Sequence, residues 1–229
     1  MTISLVCLDM AGTTVSDDGT VMAAFAAAMR AAGLSEGTAR WSAAAETVAA
    51  TMGQSKIEVF TQILGEESAA HAANDAFEAA YDIAVAQGQV HGMPGAGDVL
   101  QQLRRAGIKV CLTTGFAPAT RDAIIDRLRW RGDIDLAISP ADAGRGRPWP
   151  DMILEAARRL DVASPADVAV VGDTVSDIEA GRRAGAGLVI GVASGHGTVR
   201  QLKAAGPTEV MMDITGLPRA LSLTVGLRS

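Results

Sequence analysis

Six short apolar runs, each stopping at polar residues or glycine, recur along this 229-residue sequence with helical patterns between them. Residues 3–8, Ile-Ser-Leu-Val-Cys-Leu, stop at Asp9; similar runs cover Ile108 to Thr114, Ile134 to Ser139, Val168 to Val171, Leu188 to Val192 and, more weakly, Glu209 to Met212. Helical periodicity fills the intervals at Ala96 to Ala106, Ala119 to Trp130, Asp151 to Leu160 and Ile178 to Ala184. Runs without polar alternation suit strands covered on both faces, and strands alternating with helices make βαβ units. The expected fold class is therefore α/β: a Rossmann-like parallel sheet with helices on both faces. In such sheets active sites collect at the carboxyl ends of the strands.

One interval breaks the alternation. From about Asp17 to Gln89 the chain is rich in Ala, Glu, Met and Gln and shows helical periodicity without a convincing strand. It reads as a small helical domain inserted into the core, with residues 1–16 and 91–229 as core and 17–90 as insert. Turn-forming residues mark its candidate hinges, Ser16-Asp17-Asp18-Gly19 on entry and Gly92-Met93-Pro94-Gly95 on exit. Gly92 to Gly97 is glycine-rich but follows no strand, so a nucleotide-binding reading is poor.

Composition narrows the partners. A formal charge of -6 and a pI near 5.1 lack the positive field that nucleic acid or an anionic membrane requires, which leaves a small molecule. Hydrophobic residues make up 48% of the chain but aromatics only 3%, so an aliphatic core is expected. Cys7 and Cys111 lie in apolar runs with no pairing framework and read as core thiols of a reducing compartment. The start resembles no signal peptide and no stretch holds eighteen uninterrupted apolar residues, so a soluble cytoplasmic protein is expected. Trp41, Trp130 and Trp149 read as packing residues, and Trp149, beside Pro148, could also help to position Arg147. His71, His91 and His196 show no ligand spacing, although His196 follows a strand and could reach a site there.

Three strand ends deliver polar residues together: Asp9 with its Gly-Thr-Thr loop, Thr113-Thr114-Gly115, and Gly172-Asp173-Thr174-Val175-Ser176-Asp177. Gly146-Arg147-Pro148 adds a cation just ahead of a helix. That inventory suffices for phosphoryl transfer: a carboxylate to attack phosphorus, hydroxyl and N–H donors for the equatorial oxygens, a fixed cation, and acidic ligands for Mg²⁺. Asp173 and Asp177, four apart on a loop entering a helix, can face one site, and their oxygens suit a hard cation. Asp177 could alternatively cap that helix.

The set resembles the haloacid dehalogenase superfamily, through DMAGT at 9–13, the Thr114 strand end, Arg147 and GDTVSD at 172–177. The resemblance implies that Asp9 is phosphorylated and then hydrolysed, with Thr114 and Arg147 holding the phosphoryl group. It also implies substrate contacts from Gly12, Thr13, Thr113 and Gly115. Mg²⁺ would sit on Asp9, the Ala11 carbonyl and Asp173, supported by Asp177, and the insert would be a mobile helical cap. Ala11 departs from the usual pattern, in which a second Asp two residues after the nucleophile acts as acid and base. The phosphonatase branch shares this departure: its D-x-A-G-T-T-V motif matches Asp9 to Val15. Those enzymes cleave the C–P bond of phosphonoacetaldehyde, and a homodimer through the cap is implied with them.

In that branch a cap lysine forms a Schiff base with the substrate aldehyde. Met52-Gly53-Gln54-Ser55-Lys56 resembles its M-G-x-x-K motif, and among twenty basic residues only Lys56, Lys109 and Lys203 are lysines. An arginine could pair with an anion but could not form an imine. A free lysine is neutral only about 0.04% of the time at pH 7, so imine chemistry needs a special environment. The branch's His three residues beyond the lysine is Val59 here, which removes the expected proton shuttle. Lys56 thus has three readings: imine former, clamp for the anionic end of an ordinary phosphoester, or plain helix lysine. Beside the hydrolase readings stands a third function, a phosphate-binding regulatory module that has lost turnover.

Overall fold

The computed structural model describes residues 2–16 and 18–222. Asp17, the expected first residue of the insert, lies outside the described residues. In chain order the elements are β1 (Leu5–Asp9), β2 (Val15–Ser16), α1 (Thr20–Ala31), α2 (Ala39–Ala50), α3 (Lys56–Leu64), α4 (Glu67–Ala86), β3 (His91–Gly92), α5 (Ala96–Arg105) and β4 (Lys109–Thr113). They continue with α6 (Pro118–Leu128), β5 (Leu136–Ile138), α7 (Pro140–Ala143), α8 (Asp151–Arg159), β6 (Val168–Gly172), α9 (Val175–Ala184), β7 (Leu188–Val192), α10 (Val199–Ala204), β8 (Glu209–Met211) and α11 (Leu217–Ala220).

Six strands form one parallel sheet in the order β5-β4-β1-β6-β7-β8. Side chains alternate between the faces of a strand, and the two faces collect different helices. Leu5, Cys7, Cys111, Val168 and Val170 pack with Met152, Ile153 and Ala156 of α8 and Ala180 of α9. Val6, Leu8, Val110, Leu112 and Val171 pack on the other face with Val99, Leu100 and Leu103 of α5 and Leu217 of α11. The fold is thus α/β with helices on both faces. Cys7 and Cys111 are register partners on adjacent strands and both are buried free thiols. No helix among the described residues is long and apolar enough to cross a membrane.

Helices α1 to α4 occupy the interval between β1 and β4, and α4 shows why they hold together. Ala70, Ala73, Phe77, Tyr81 and Ala84 recur every three or four residues and are buried, a stripe on one helical face. That stripe packs against α1, whose own buried set is Val21, Ala24, Phe25, Ala28 and Met29.

Two readings from sequence need correction. Gly92 does belong to a strand: His91–Gly92 pairs antiparallel with Val15–Ser16, so a two-residue ribbon ties together the chain entering and leaving the insert. The run is too short to leave a period-2 pattern. Trp149 is not a packing residue. It is 44% exposed and lies between the guanidiniums of Arg145 and Arg183, at 4.3 and 5.3 Å from its ring. Trp130 is buried in the main core, as expected of it.

Candidate active site

Parallel strands end in register, so residues that are remote in sequence emerge side by side. Asp9, the last residue of β1, is the register partner of Thr113 at the end of β4, and β6 runs along the other side of β1 toward Gly172 and Asp173. One carboxylate oxygen from each of Asp9, Asp173 and Asp177 lies within 4.8 Å of the others, and all three residues are buried.

Arg147 joins two of them. Its Nη1 donates to Asp9 Oδ1 at 2.5 Å and to Asp177 Oδ1, while its Nε is buried without a hydrogen-bond partner among the described residues. Asp177 Oδ2 accepts from the Thr174 N–H at 3.0 Å and hydroxyl at 2.5 Å, closing the capping box that starts α9. The cap and the ion pair therefore use both oxygens of one carboxylate. Asp173 Oδ1 accepts from the Thr13 hydroxyl at 3.1 Å, and Oδ2 from the His196 N–H at 2.7 Å.

Electrostatics follow from the inventory. Burial pushes the Asp9 carboxyl above its ordinary value; Arg147 opposes the shift, and the Asp177 and Asp173 charges add to it. Asp177 is raised for the same reasons, burial first. Burial works against the charge of Arg147, but Asp177 and Asp9 more than offset it and hold the guanidinium protonated. With all three carboxylates ionised, Arg147, which pairs with Asp9 and Asp177, would leave a net charge of -2 in a desolvated site, which is why burial raises two of these carboxyls. The donor set and the charge shortfall both fit a hard divalent cation.

Asp9 lines a small cavity with Ala11, Thr114, Gly115, Arg147, Thr174 and His196 from the core, and with Val21, Met52, Gly53 and Lys56 from the insert. It encloses about 20 Å³, room for about one water. Of the remaining residues singled out in the sequence, Gly12, Thr13 and Thr113 stand behind its wall. Gly12 has φ +93, and a Cβ there would lie 2.4 Å from Asp173 Oδ2, so only glycine lets the loop after Asp9 touch that carboxylate. The Thr113 hydroxyl donates to the Leu8 carbonyl at 3.4 Å, and the Thr114 hydroxyl accepts from the Phe116 N–H at 3.2 Å.

Lys56 is the first residue of α3 and is only 7% exposed. Its loop is pressed onto the core: a Cβ on Gly115 would fall 2.4 Å from the Gln54 carbonyl oxygen, and the Lys56 N–H points to the Gly115 carbonyl at 3.5 Å. The Nζ lies 5.2 Å from the ring of Phe116, 5.5 Å from Phe25 and 5.7 Å from Phe77. All four phenylalanines of the chain and its single tyrosine belong to this one cluster. The sheet strands themselves pack aliphatic side chains, as the composition implied, and the phenylalanine and tyrosine rings collect beside the lysine. Sequence reasoning missed this cluster. Its only trace is that Phe25, Phe60, Phe77 and Tyr81 fall on the buried faces of their helices.

Strand-end carboxylates, a buried guanidinium and a helical insert over a parallel sheet define the class. The family described as haloacid dehalogenase-like hydrolase matches residues 3–185, and the chain belongs to that family of hydrolases. Phosphonoacetaldehyde hydrolase of Bacillus cereus (strain G9842) is 37% identical over 101 residues, 42% of this chain and 38% of that enzyme. Its namesake from Bacteroides fragilis is 35% identical over 103 residues, 43% of this chain and 39% of the relative. The matches therefore span well under half the length of these curated relatives. A phosphonoacetaldehyde hydrolase-like protein from Oleispira antarctica superposes with a TM-score of 0.83 at 23% identity, covering 97% of this chain and 92% of its own. A hydrolase from Pseudomonas syringae superposes with a TM-score of 0.81 at 24% identity, covering 96% and 98%. These likenesses establish a shared fold.

Proposed function

We propose that this protein is a Mg²⁺-dependent phosphonatase-like hydrolase that cleaves the C–P bond of phosphonoacetaldehyde through an aspartyl-phosphate on Asp9. The observation carrying this reading is that one cavity is lined by both a buried strand-end carboxylate and a buried lysine. A phosphoester hydrolase needs the first group only. An aldehyde phosphonate uses both, because its leaving group is carbon.

In this reading the neutral Lys56 amine adds to the aldehyde carbon and water leaves, giving an iminium. A carboxylate oxygen of Asp9 then attacks phosphorus, and the C–P bonding pair moves into the iminium to form an enamine, so no free carbanion appears. Arg147 and Thr114 hold the phosphoryl oxygens, the buried Arg147 Nε–H being a donor still available to them. Thr13 and Gly12 keep Asp173 in place, Thr113 sits beside Asp9, and Gly115 makes room for the lysine loop. Water hydrolyses the aspartyl-phosphate, and protonation and hydrolysis of the enamine release acetaldehyde. Asp9, Asp173 and the Ala11 carbonyl would hold Mg²⁺, with Asp177 supporting. When bound, the ion supplies the positive charge that lets a carboxylate approach a dianionic group.

Residues 17–90 then act as a cap. With room for about one water, the cavity admits substrate only when the insert withdraws, and Gly19 and Gly95, both with positive φ, flank it. A homodimer through this cap goes with the phosphonatase reading, and sedimentation equilibrium tests it.

The deciding experiment is release of phosphate and acetaldehyde from phosphonoacetaldehyde with Mg²⁺, set beside Lys56→Arg and a panel of small phosphoesters. Loss of C–P cleavage in Lys56→Arg is the expected result. Ester hydrolysis without C–P cleavage in the native chain would make it a phosphatase with Lys56 as a clamp. Absence of all turnover would favour the phosphate-binding module.

A further inference from the structure

A second cavity, of about 310 Å³, lies on the other side of Lys56 and is lined by Ser55, Lys56, Glu58, Glu78, Phe116 and Pro140 among others. Glu78 is on α4, next to Phe77 of the aromatic cluster. Its Oε1 accepts from the Ala117 N–H at 3.1 Å, at the start of α6. Its Oε2 is buried and has no hydrogen-bond partner among the described residues. A cap for α6 needs one oxygen; a second one, desolvated and unsatisfied, is a cost that structure alone does not explain.

The surrounding charges single out Glu78. Burial raises its carboxyl above the ordinary value; the Thr120 hydroxyl first, then the Ala117 N–H and the Lys56 charge, oppose this, and Asp82, one turn along α4, adds to it. Asp82 itself accepts from the Thr120 hydroxyl of α6 at 2.7 Å. Glu58, on α3, has Arg145 as its compensating charge, and His71 is exposed with Glu67 at 3.9 Å. Lys56 is thus the cation that compensates Glu78. One turn beyond Lys56 on α3 stands Val59, apolar and buried, which carries no proton.

We propose that Glu78 is the proton carrier for Lys56, a role that rests on the imine reading above. The carboxylate takes a proton from the Lys56 ammonium, and the freed amine adds to the aldehyde carbon. The carbinolamine forms by proton transfer from nitrogen to oxygen. Protonated Glu78 then gives its proton to the carbinolamine hydroxyl, which departs as water while the C=N bond forms. Ammonium and aldehyde become iminium and water, and Glu78 returns to carboxylate. Both residues belong to the insert, so the pair stays together whenever the insert moves.

The test is the rate of borohydride trapping at Lys56 with phosphonoacetaldehyde, together with the pH profile of kcat/KM, in native protein, Glu78→Gln and Glu78→Ala. Gln keeps an acceptor for the Ala117 N–H. Trapping in Glu78→Gln is expected to slow by about 100-fold or more, and the acid limb of the profile, which marks protonation of Glu78, is expected to vanish. Added formate should restore trapping in Glu78→Ala. A group raised by burial destabilises the fold in its ionised form, so Glu78→Gln should unfold at or above the native midpoint at neutral pH. That difference should close as pH falls below the ordinary carboxylate range. Native trapping with an unchanged rate and profile in Glu78→Gln overturns the role of Glu78 and leaves the imine standing. Turnover of phosphonoacetaldehyde without any trapping in native protein overturns the imine itself and Glu78 with it.

Discussion

Asp9 and Lys56 line the same cavity, yet opposite physics holds them. Asp9 stands among charges: Arg147 at 2.5 Å, and Asp173 and Asp177 close enough to share a cation. Asp9 ends β1, Asp173 follows β6 and Asp177 lies in the first turn of α9, while Arg147 comes from the loop between α7 and α8. Lys56 stands among rings from three helices and a core loop, 5.2 to 5.7 Å from three of them. In the proposed reading the first region directs charge at phosphorus, and short motifs carry most of it. The second excludes water from an amine, and only packing between distant segments can build it. On that reading the phosphoryl chemistry stays with the core while the insert sets what leaves phosphorus.

The largest expected effect tests whether the two regions form one site. Asp9→Asn should lower phosphate release from every substrate by at least about 10⁴-fold; phosphate release that continues unchanged would end the assignment. Lys56→Arg should separate the regions. Acetaldehyde release should fall to background, while phosphate release from p-nitrophenyl phosphate should fall far less; equal losses on both would mean that Lys56 serves the phosphoryl site itself.

Two further measurements concern stability. Phe77 is fully buried and touches the rings of Phe25, Phe60, Tyr81 and Phe116, so Phe77→Ala should cost about 3–5 kcal/mol in denaturant unfolding. A loss under about 1 kcal/mol would show that the insert does not depend on the cluster. Mg²⁺ at a hundred times its Kd should stabilise the native chain by about 2.7 kcal/mol. Asp173→Asn should abolish that gain and Lys56→Arg should keep it, if the cation belongs to the charged region alone.

The sequence pattern located the sheet closely. The apolar run Leu188 to Val192 is strand β7 residue for residue, and the run from Ile108 to Thr114 exceeds β4 by one residue at each end. Buried parallel strands must be apolar throughout, which makes them legible. The residues after each run were legible for a related reason: a parallel sheet carries every strand end to the same edge, so polar residues there must meet. Short elements were not. The ribbon of β2 and β3 has two residues per strand, and α7 only four, too few to show a period.

What the chain determined by itself is the sheet and its strand ends at Asp9, Thr114 and Asp173, which apolar periodicity dictates, while the motifs carrying Arg147 and Asp177 showed the family by resemblance. The gathering of every phenylalanine into one cluster beside Lys56, and the Glu78 oxygen with no partner among the described residues, were decided only by tertiary packing. Those contacts join segments that no short-range pattern relates, because the insert's helices find their partners through shape and burial rather than through spacing along the chain.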